Sequence, residues 1–295
     1  MATTPTHVTP KCLFCEQQGH TSTAFEDTVF NNKTFEYIQC THCGLVYVTP
    51  MPNDDDLIKM YPVEYQGELV LQSLGNYTKL LDRIKNIGKF ETLLDYGCGG
   101  GRFVAEAVEA GFTVTGTEYN PELVRNLSAT QPRAAFCTIE DFYKGKELYD
   151  LIFLSNVLEH LTNPKEIMLK LKPRLAKNGL FVLEGPVEYN FNLTKYVRLL
   201  IFWLRKNLWN KKANHTPTHV LYSNKQNQEA FFKSIGLETL YYHIDEGNWP
   251  FPSSYKASDT IMKKLMYFIA RTSVKIGKNF SFWGNNFVYI GKVKE

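Results

Sequence analysis

Two residue patterns in this chain could do chemistry. The first is Asp95-Tyr96-Gly97-Cys98-Gly99-Gly100-Gly101, entered through the apolar pair Leu93-Leu94 and followed by a helical pattern from Phe103 to Ala110. Between a strand and a helix, Gly97 permits a tight turn, Gly99 leaves no Cβ in a ligand's way, and Gly101 lets the helix lie close to the strand. The spacing Asp-x-Gly-x-Gly-x-Gly differs from the Gly-x-Gly-x-x-Gly of dinucleotide sites, whose helix N-terminus receives a pyrophosphate. An acid at the head of the loop suits a ligand with a cationic amino-acid end rather than an anion. The second pattern is Cys12-x2-Cys15 and Cys40-x2-Cys43, two knuckles 24 residues apart. Two such knuckles can present four sulfurs to one tetrahedral zinc ion, and a site closed by four protein ligands is structural. Gly44 supports the second knuckle, and His20 and His42 are surplus to it.

The elements that must carry these residues follow from periodicity. Short alternating segments around Asn31-Asn32 and the strand before Pro50 make residues 1–60 a zinc-ribbon module, leaving 61–295 as a larger domain. Within the latter, strands are expected at Leu93–Asp95, Phe112–Thr117, Ala134–Ile139, Tyr149–Asn156 and Leu180–Glu184. They alternate with helices from Phe103, from Pro121 (capped by Asn120) and from Asn163-Pro164 through Leu175. That order means a doubly wound parallel sheet, in which ligands lie at the C-terminal strand ends. Asp95, Glu118, Asp141 and Asn156 all fall at such ends. Glu118 stands 23 residues beyond Asp95, where an acid can accept both hydroxyls of a ribose. A sixth strand is expected over Leu237–Ile244 and a last one over Asn286–Lys292; in this fold class the last two strands usually form a hairpin. Insertions near 186–218 and 245–284 interrupt this half, the latter holding Trp249-Pro250-Phe251-Pro252 and a basic amphipathic helix near 258–276.

The glycine loop resembles the first motif of class I S-adenosylmethionine-dependent methyltransferases. The resemblance implies an α/β fold with a doubly wound, mostly parallel seven-stranded sheet and S-adenosyl-L-methionine as cofactor. It also implies that Asp141 takes the adenine amino group while Phe142 packs on the ring. The order of the two knuckles, Gly44-Leu45-Val46, a Pro-rich step and Tyr61-Pro62-x2-Tyr65 is similar to the front end of a methyltransferase group associated with surface-polysaccharide and natural-product pathways; the likeness extends to about residue 240. It points to a small-molecule or carbohydrate acceptor: a hydroxyl of a sugar, a sugar nucleotide or another metabolite. Asn156-x2-Glu159-His160 resembles the Glu-x2-Glu-His of ubiquinone-pathway O-methyltransferases and small-RNA terminal 2′-O-methyltransferases, where a later histidine helps to hold a divalent ion. Here Asn156 replaces the first acid, which weakens a magnesium site, although His215 and His219 are on offer. General-base use of His160 or His219 is the preferred reading, because an imidazole near pKa ~6.5 accepts a proton at neutral pH.

Composition narrows the rest. A net charge of +3 without a basic stripe argues against nucleic acid as partner, although RNA methylation with the ribbon as reader stays open, as does a non-catalytic cofactor-binding protein. No run of ~18 apolar residues exists to span a membrane, and the polar start is no signal peptide. Close cysteine pairs without such a signal point to a reducing, cytoplasmic setting. The segment 193–208 reads as a helix with Leu193, Val197, Leu200, Ile201, Leu204 and Leu208 on one stripe. Phe202 and Trp209 lie on the other side among Lys195, Arg198, Arg205 and Lys206. That second face suits a membrane surface or a lipid-linked substrate; the alternative is a lid helix or a dimer contact.

Overall fold

The computed structural model describes residues 10–61, 77–209, 216–247, 255 and 260–294. The chain opens with β1 (His20–Ser22), β2 (Thr28–Phe30), β3 (Lys33–Cys40), β4 (Val46–Thr49) and α1 (Asp54–Met60). Asn31 and Asn32, both at positive φ, turn β2 into β3, the mirror-image turn that matches strand twist. Asn53 caps α1 in a capping box with Asp56. Asp56 is buried because Asn31 (2.7 Å) and Lys33 (2.8 Å) bond its carboxylate, which ties the helix to the hairpin.

The larger part runs α2 (Thr78–Ile87), β5 (Thr92–Tyr96), α3 (Arg102–Glu109), β6 (Thr113–Glu118), α4 (Pro121–Thr130), β7 (Ala135–Thr138), α5 (Ile139–Lys144), β8 (Tyr149–Ser155), a 3-10 turn over Leu158–His160, and α6 (Pro164–Leu171). It continues with β9 (Leu175–Pro186), α7 (Leu193–Leu204), β10 (Leu221–Tyr222), α8 (Lys225–Ser234), β11 (Leu237–Asp245), α9 (Ile261–Gly277) and β12 (Asn286–Val293). Seven strands form one sheet in the order β11-β12-β9-β8-β5-β6-β7. The pairs from β9 to β7 are parallel, whereas β12 lies antiparallel to both β9 and β11. This is the expected mostly parallel, doubly wound sheet, with the last two strands paired across the 245–284 insertion.

Each face of the sheet is covered. Leu80, Leu81, Ile84, Phe103 and Val104 pack against Leu93, Phe153 and Val182 on one side. On the other, Leu94, Ile152, Leu154 and Phe181 meet Met168, Leu171, Phe231 and Phe232. That second core runs without a break into the N-terminal part, where Phe14 stacks on Phe231 at 4.2 Å between centroids. The N-terminal sheet (β1-β3-β4-β10, with β2 on β3) borrows its edge strand, β10, from the far side of the larger part.

Two local expectations change. The helix from Pro164 stops at Leu171 rather than Leu175: Pro173 cannot continue it, and a 3-10 turn over Lys172–Arg174 leads directly into β9. In α7 the stripe is half-buried at Leu193, Val197, Ile201 and Leu204, and part of the second face also turns inward. The apolar stripe is exposed at Leu200 (56%), while Lys195 is buried, Phe202 packs on Phe25 and Arg205 reaches Glu26 at 3.1 Å. Lys195 and Arg198 thus face the cavity, and Phe202 the core. His215, Pro62, Tyr65 and 249–252 lie outside the described residues.

Candidate active site

A cavity of about 680 Å³ opens at the C-terminal ends of the parallel strands. On the β5–β6 side it is lined by Asp95, Gly97, Gly99 and Glu118. The loop holds its shape through positive φ at Gly97 (77°), Gly99 (50°) and Gly101 (71°), a region only glycine enters freely. A Cβ on Gly97 would stand 2.8 Å from Val157 Cγ2. A Cβ on Gly101 would stand 2.8 Å from Leu127 Cδ2, so this glycine admits α4 rather than bringing α3 onto its strand. Glu118 accepts hydrogen bonds from the Gly99 amide at 3.0 Å and the Tyr119 amide at 2.8 Å, which fixes its carboxylate at the strand end. Asp95 is buried on β5; burial, reinforced by the charges of Glu184 and Glu118, raises its carboxyl well above the usual range. Glu184 accepts a hydrogen bond from Ser155 at 2.7 Å. Three carboxylates grouped this closely favour a cationic ligand, since each is eased by a positive neighbour.

Asn156 follows β8 with φ 51°, lines the cavity, and bonds Ser155 through Nδ2 at 3.1 Å. Asp141 and Phe142 behave differently. Thr138 caps α5 by accepting the Asp141 amide, and the Asp141 carboxylate accepts from Thr138 Oγ1 at 2.8 Å and from Lys144 at 3.0 Å, on the exposed surface. Phe142 does not reach the cavity: it is buried against Tyr96, Tyr149 and the Arg174 guanidinium, 4.1 Å above its ring. Helix α5 begins immediately after β7, so one turn of helix rotates Phe142 into the core and leaves Ile139 on the cavity wall.

Across the cavity, on the β8–β9 side, stand Glu159, His160, Glu188, Lys195, Arg198 and His219. His160 Nδ1 lies 2.8 Å from the Thr218 carbonyl and 2.8 Å from the Tyr61 hydroxyl, which itself donates to Thr218 at 2.7 Å. A carbonyl only accepts, so Nδ1 carries the proton and Nε2 the free electron pair. Burial, with the nearby His219 charge, lowers the His160 pKa to about 3, and it stays neutral. His219 Nδ1 meets Glu188 Oε2 at 2.6 Å. Burial alone would lower its pKa, but the Glu188 charge and hydrogen bond prevail and hold it at about 9. Glu188, which burial would raise, is held at about 2 by His219 and by Arg198 at 3.2 Å. The two imidazoles therefore differ in charge at neutral pH, and His219 departs from the expected pKa near 6.5 because of Glu188. Glu188, Lys195, Arg198, Tyr61 and Tyr77 had no expected role at the cavity; only its position just past the strand Leu180–Glu184, now part of β9, signalled Glu188.

In the N-terminal part the four knuckle sulfurs lie within 4.8 Å of one another, with Cys12–Cys43 at 3.5 Å and Cys15–Cys40 at 3.6 Å. A tetrahedral ion with Zn–S bonds of about 2.3 Å requires sulfurs about 3.8 Å apart, so the donor set fits. A second group, Glu159, His160 and His219, also brings its ligand atoms within 4.8 Å, and Glu159 Oε2 is buried without a hydrogen-bond partner. Among the described residues no helix is long and apolar enough to cross a membrane.

Known proteins align with this geometry. A methyltransferase-domain family matches residues 70–242. A ubiquinone biosynthesis O-methyltransferase from Rickettsia canadensis is 24% identical, over 66% of this chain and 82% of its own. The mitochondrial ubiquinone biosynthesis O-methyltransferase of Schizosaccharomyces pombe is 25% identical, over 63% of this chain and 66% of its own. In fold, the chain is similar to the Burkholderia thailandensis 1,6-didemethyltoxoflavin-N1-methyltransferase, with a TM-score of 0.52 at 12% identity, covering 92% of this chain and 100% of that one. With the family matched across the glycine loop, both cavity walls and most of the sheet, the chain belongs to the methyltransferase-domain family and is a class I S-adenosylmethionine-dependent methyltransferase.

Proposed function

We propose that this protein transfers the methyl group of S-adenosylmethionine to a hydroxyl of a small molecule, such as a sugar, a sugar nucleotide or another metabolite. Asp95 receives the cofactor ammonium, Glu118 the ribose hydroxyls, and Gly97, Gly99 and Gly101 give room for the chain between them; Asn156 and Ile139 border the same half. The single observation that carries the acceptor reading is the 2.6 Å bond between Glu188 and His219 opposite the glycine loop. The names of the relatives, as O-methyltransferases, point the same way. The acceptor oxygen attacks the methyl carbon as the carbon–sulfur bond breaks and its electrons return to sulfur. In the neutral form of His219, whose Nδ1–H stays on Glu188, Nε2 takes the hydroxyl proton, and Glu188 stabilises the imidazolium that forms. His160, held neutral with its Nδ1–H on the Thr218 carbonyl, stands beside His219 and limits where the hydroxyl can sit. Because His219 is held at about 9, the proton-accepting form grows as pH rises toward that value.

A second reading rests on the orphaned Glu159 Oε2. Glu159, His160 and His219 would hold a divalent ion, and two imidazoles with one carboxylate suit a transition ion better than the magnesium considered from sequence. Such an ion would lower the pKa of the acceptor hydroxyl. Structural zinc on Cys12, Cys15, Cys40 and Cys43, and a division into 1–60 and 61–295, complete the proposal. Contact with a membrane surface through the segment 193–210 is retained for the exposed Tyr196, Leu200 and Trp203 of α7. The test is mass spectrometry of a metabolite extract incubated with the enzyme and methyl-labelled cofactor, followed by turnover of His160→Ala and His219→Ala at saturating cofactor. Label on oxygen, with turnover lowered ~10²-fold or more in His219→Ala, is expected. Label on nitrogen, or near-normal turnover in both variants from pH 6 to 9, would overturn it.

A further inference from the structure

Lys195 and Arg198 sit three residues apart on α7, hence on one face, and both line the cavity. Lys195 is only 8% exposed. Among the described residues no carboxylate pairs with it. Its Nζ donates to the Tyr189 carbonyl at 3.2 Å and lies 4.7 Å from the Tyr189 and Tyr196 ring centroids and 5.2 Å from that of Phe191. Burial, with the Arg198 charge nearby, lowers its pKa to about 8. Arg198 reaches Glu188 through Nη1, yet its Nε is buried and has no hydrogen-bond partner. A buried ammonium lacking a counter-charge and a buried N–H lacking an acceptor are both costly unless a ligand supplies what they lack.

Their place in the fold says which ligand. Helix α7 leaves the end of β9, and β9 stands two strands from β5, about 10 Å at the usual strand spacing. Asp95 on β5 and Glu118 on β6 are the acids assigned to the cofactor; these donors stand on the acceptor half, beside Glu188 and His219. We infer that Lys195 and Arg198 form an anion subsite for the methyl acceptor, so that the acceptor carries a phosphoryl or carboxylate group which anchors it while its hydroxyl faces the cofactor. The inference rests on the reading that this half of the cavity binds the acceptor. Lys195 donates two N–H bonds to the anion and Arg198 one from Nε, while the surrounding rings shield the pair from water and strengthen it.

The test is calorimetric titration of the full-length protein saturated with S-adenosylhomocysteine, using glucose 1-phosphate, pyrophosphate, glucuronate and glucose as probes. Saturable binding of glucose 1-phosphate or pyrophosphate assigns a phosphoryl acceptor, and binding of glucuronate alone a carboxylate; glucose should bind far more weakly than either. Lys195→Met and Arg198→Gln should each weaken the preferred anion about tenfold or more, with S-adenosylhomocysteine affinity changed less than about twofold and Lys195→Arg retaining most of the anion affinity. Lys195→Met should melt no lower than the native protein, since it removes an unpaired buried charge of similar size; a lower melting temperature together with unchanged anion affinity would make Lys195 a structural cation and overturn the assignment. Absence of saturable binding by every anion, or displacement of the anion by S-adenosylhomocysteine, would overturn it too. Failure of S-adenosylhomocysteine itself to bind would instead remove the methyl-transfer reading, and the two failures are therefore distinct.

Discussion

Replacing Glu188 by Gln isolates the charge that organises the acceptor end of the site. The change is nearly isosteric and keeps an oxygen for the His219 Nδ1–H, but removes the negative charge. In the native protein that charge, with its hydrogen bond, outweighs burial and holds His219 at about 9 rather than 6.5. With the charge gone, burial prevails, and His219 should titrate at or below the ordinary histidine value. A fall of about 2.5 units corresponds to about 3 kcal/mol of interaction, at 1.36 kcal/mol per unit. His219 is raised, so its share of the stability is fully present below pH 6.5 and fades as pH rises through about 9. Glu188 is lowered, so its share is present above pH 4.5 and is lost as pH falls through about 2. The melting-temperature gap between native protein and Glu188→Gln should therefore be widest between about pH 4.5 and 6.5 and narrow on either side. Carbon-edited NMR of the imidazole Cε1–H, with His219 assigned by His219→Gln, follows the titration directly. A native His219 titrating within about half a unit of the ordinary value, or one that Glu188→Gln leaves in place, would refute the electrostatic account.

Glu118→Gln should weaken S-adenosylhomocysteine about ten- to hundredfold by calorimetry, since a charged acceptor at two hydroxyls becomes a neutral one. Glu109→Gln, which breaks only an exposed pair with Arg133, should leave affinity within about twofold; equal losses would remove Glu118 from the ribose. Elemental analysis should find one zinc per chain, and Cys40→Ser should both lower the melting temperature and shift the His219 titration. The second effect follows because Val48 donates to the Val220 carbonyl at 3.0 Å and Val220 donates to Glu159 at 2.9 Å, linking the knuckle sheet to the acceptor end; loss of zinc without any change at His219 would contradict that link. Gly97→Ala should abolish detectable cofactor binding in the same titration, because the backbone is at φ 77° and the new methyl meets Val157 at 2.8 Å, and retention of native affinity would show that the turn has another conformation when bound.

What depends on short spacing was legible in the sequence. The glycine loop, the acids at strand ends and the paired cysteines are arrangements of near neighbours, and the backbone rules that govern them act over a few residues. The doubly wound, mostly parallel sheet was legible too, because alternating strands and helices leave few ways to wind a sheet. Tertiary structure decided what depends on contact between distant segments. Which face of α7 turns inward could not be read from its pattern: the apolar stripe was evident, but Lys195 is buried and Arg198 and Phe202 are half-buried because a cavity and Phe25 lie beneath them. Phe142 left the expected adenine site because α5 starts one residue after β7 and carries the ring around into the core. His219 became a cation through Glu188, 31 positions away in the chain. Burial and charge pairing are properties of the assembled surroundings, so the same histidine is a neutral base or an imidazolium according to which residue the fold brings to its Nδ1.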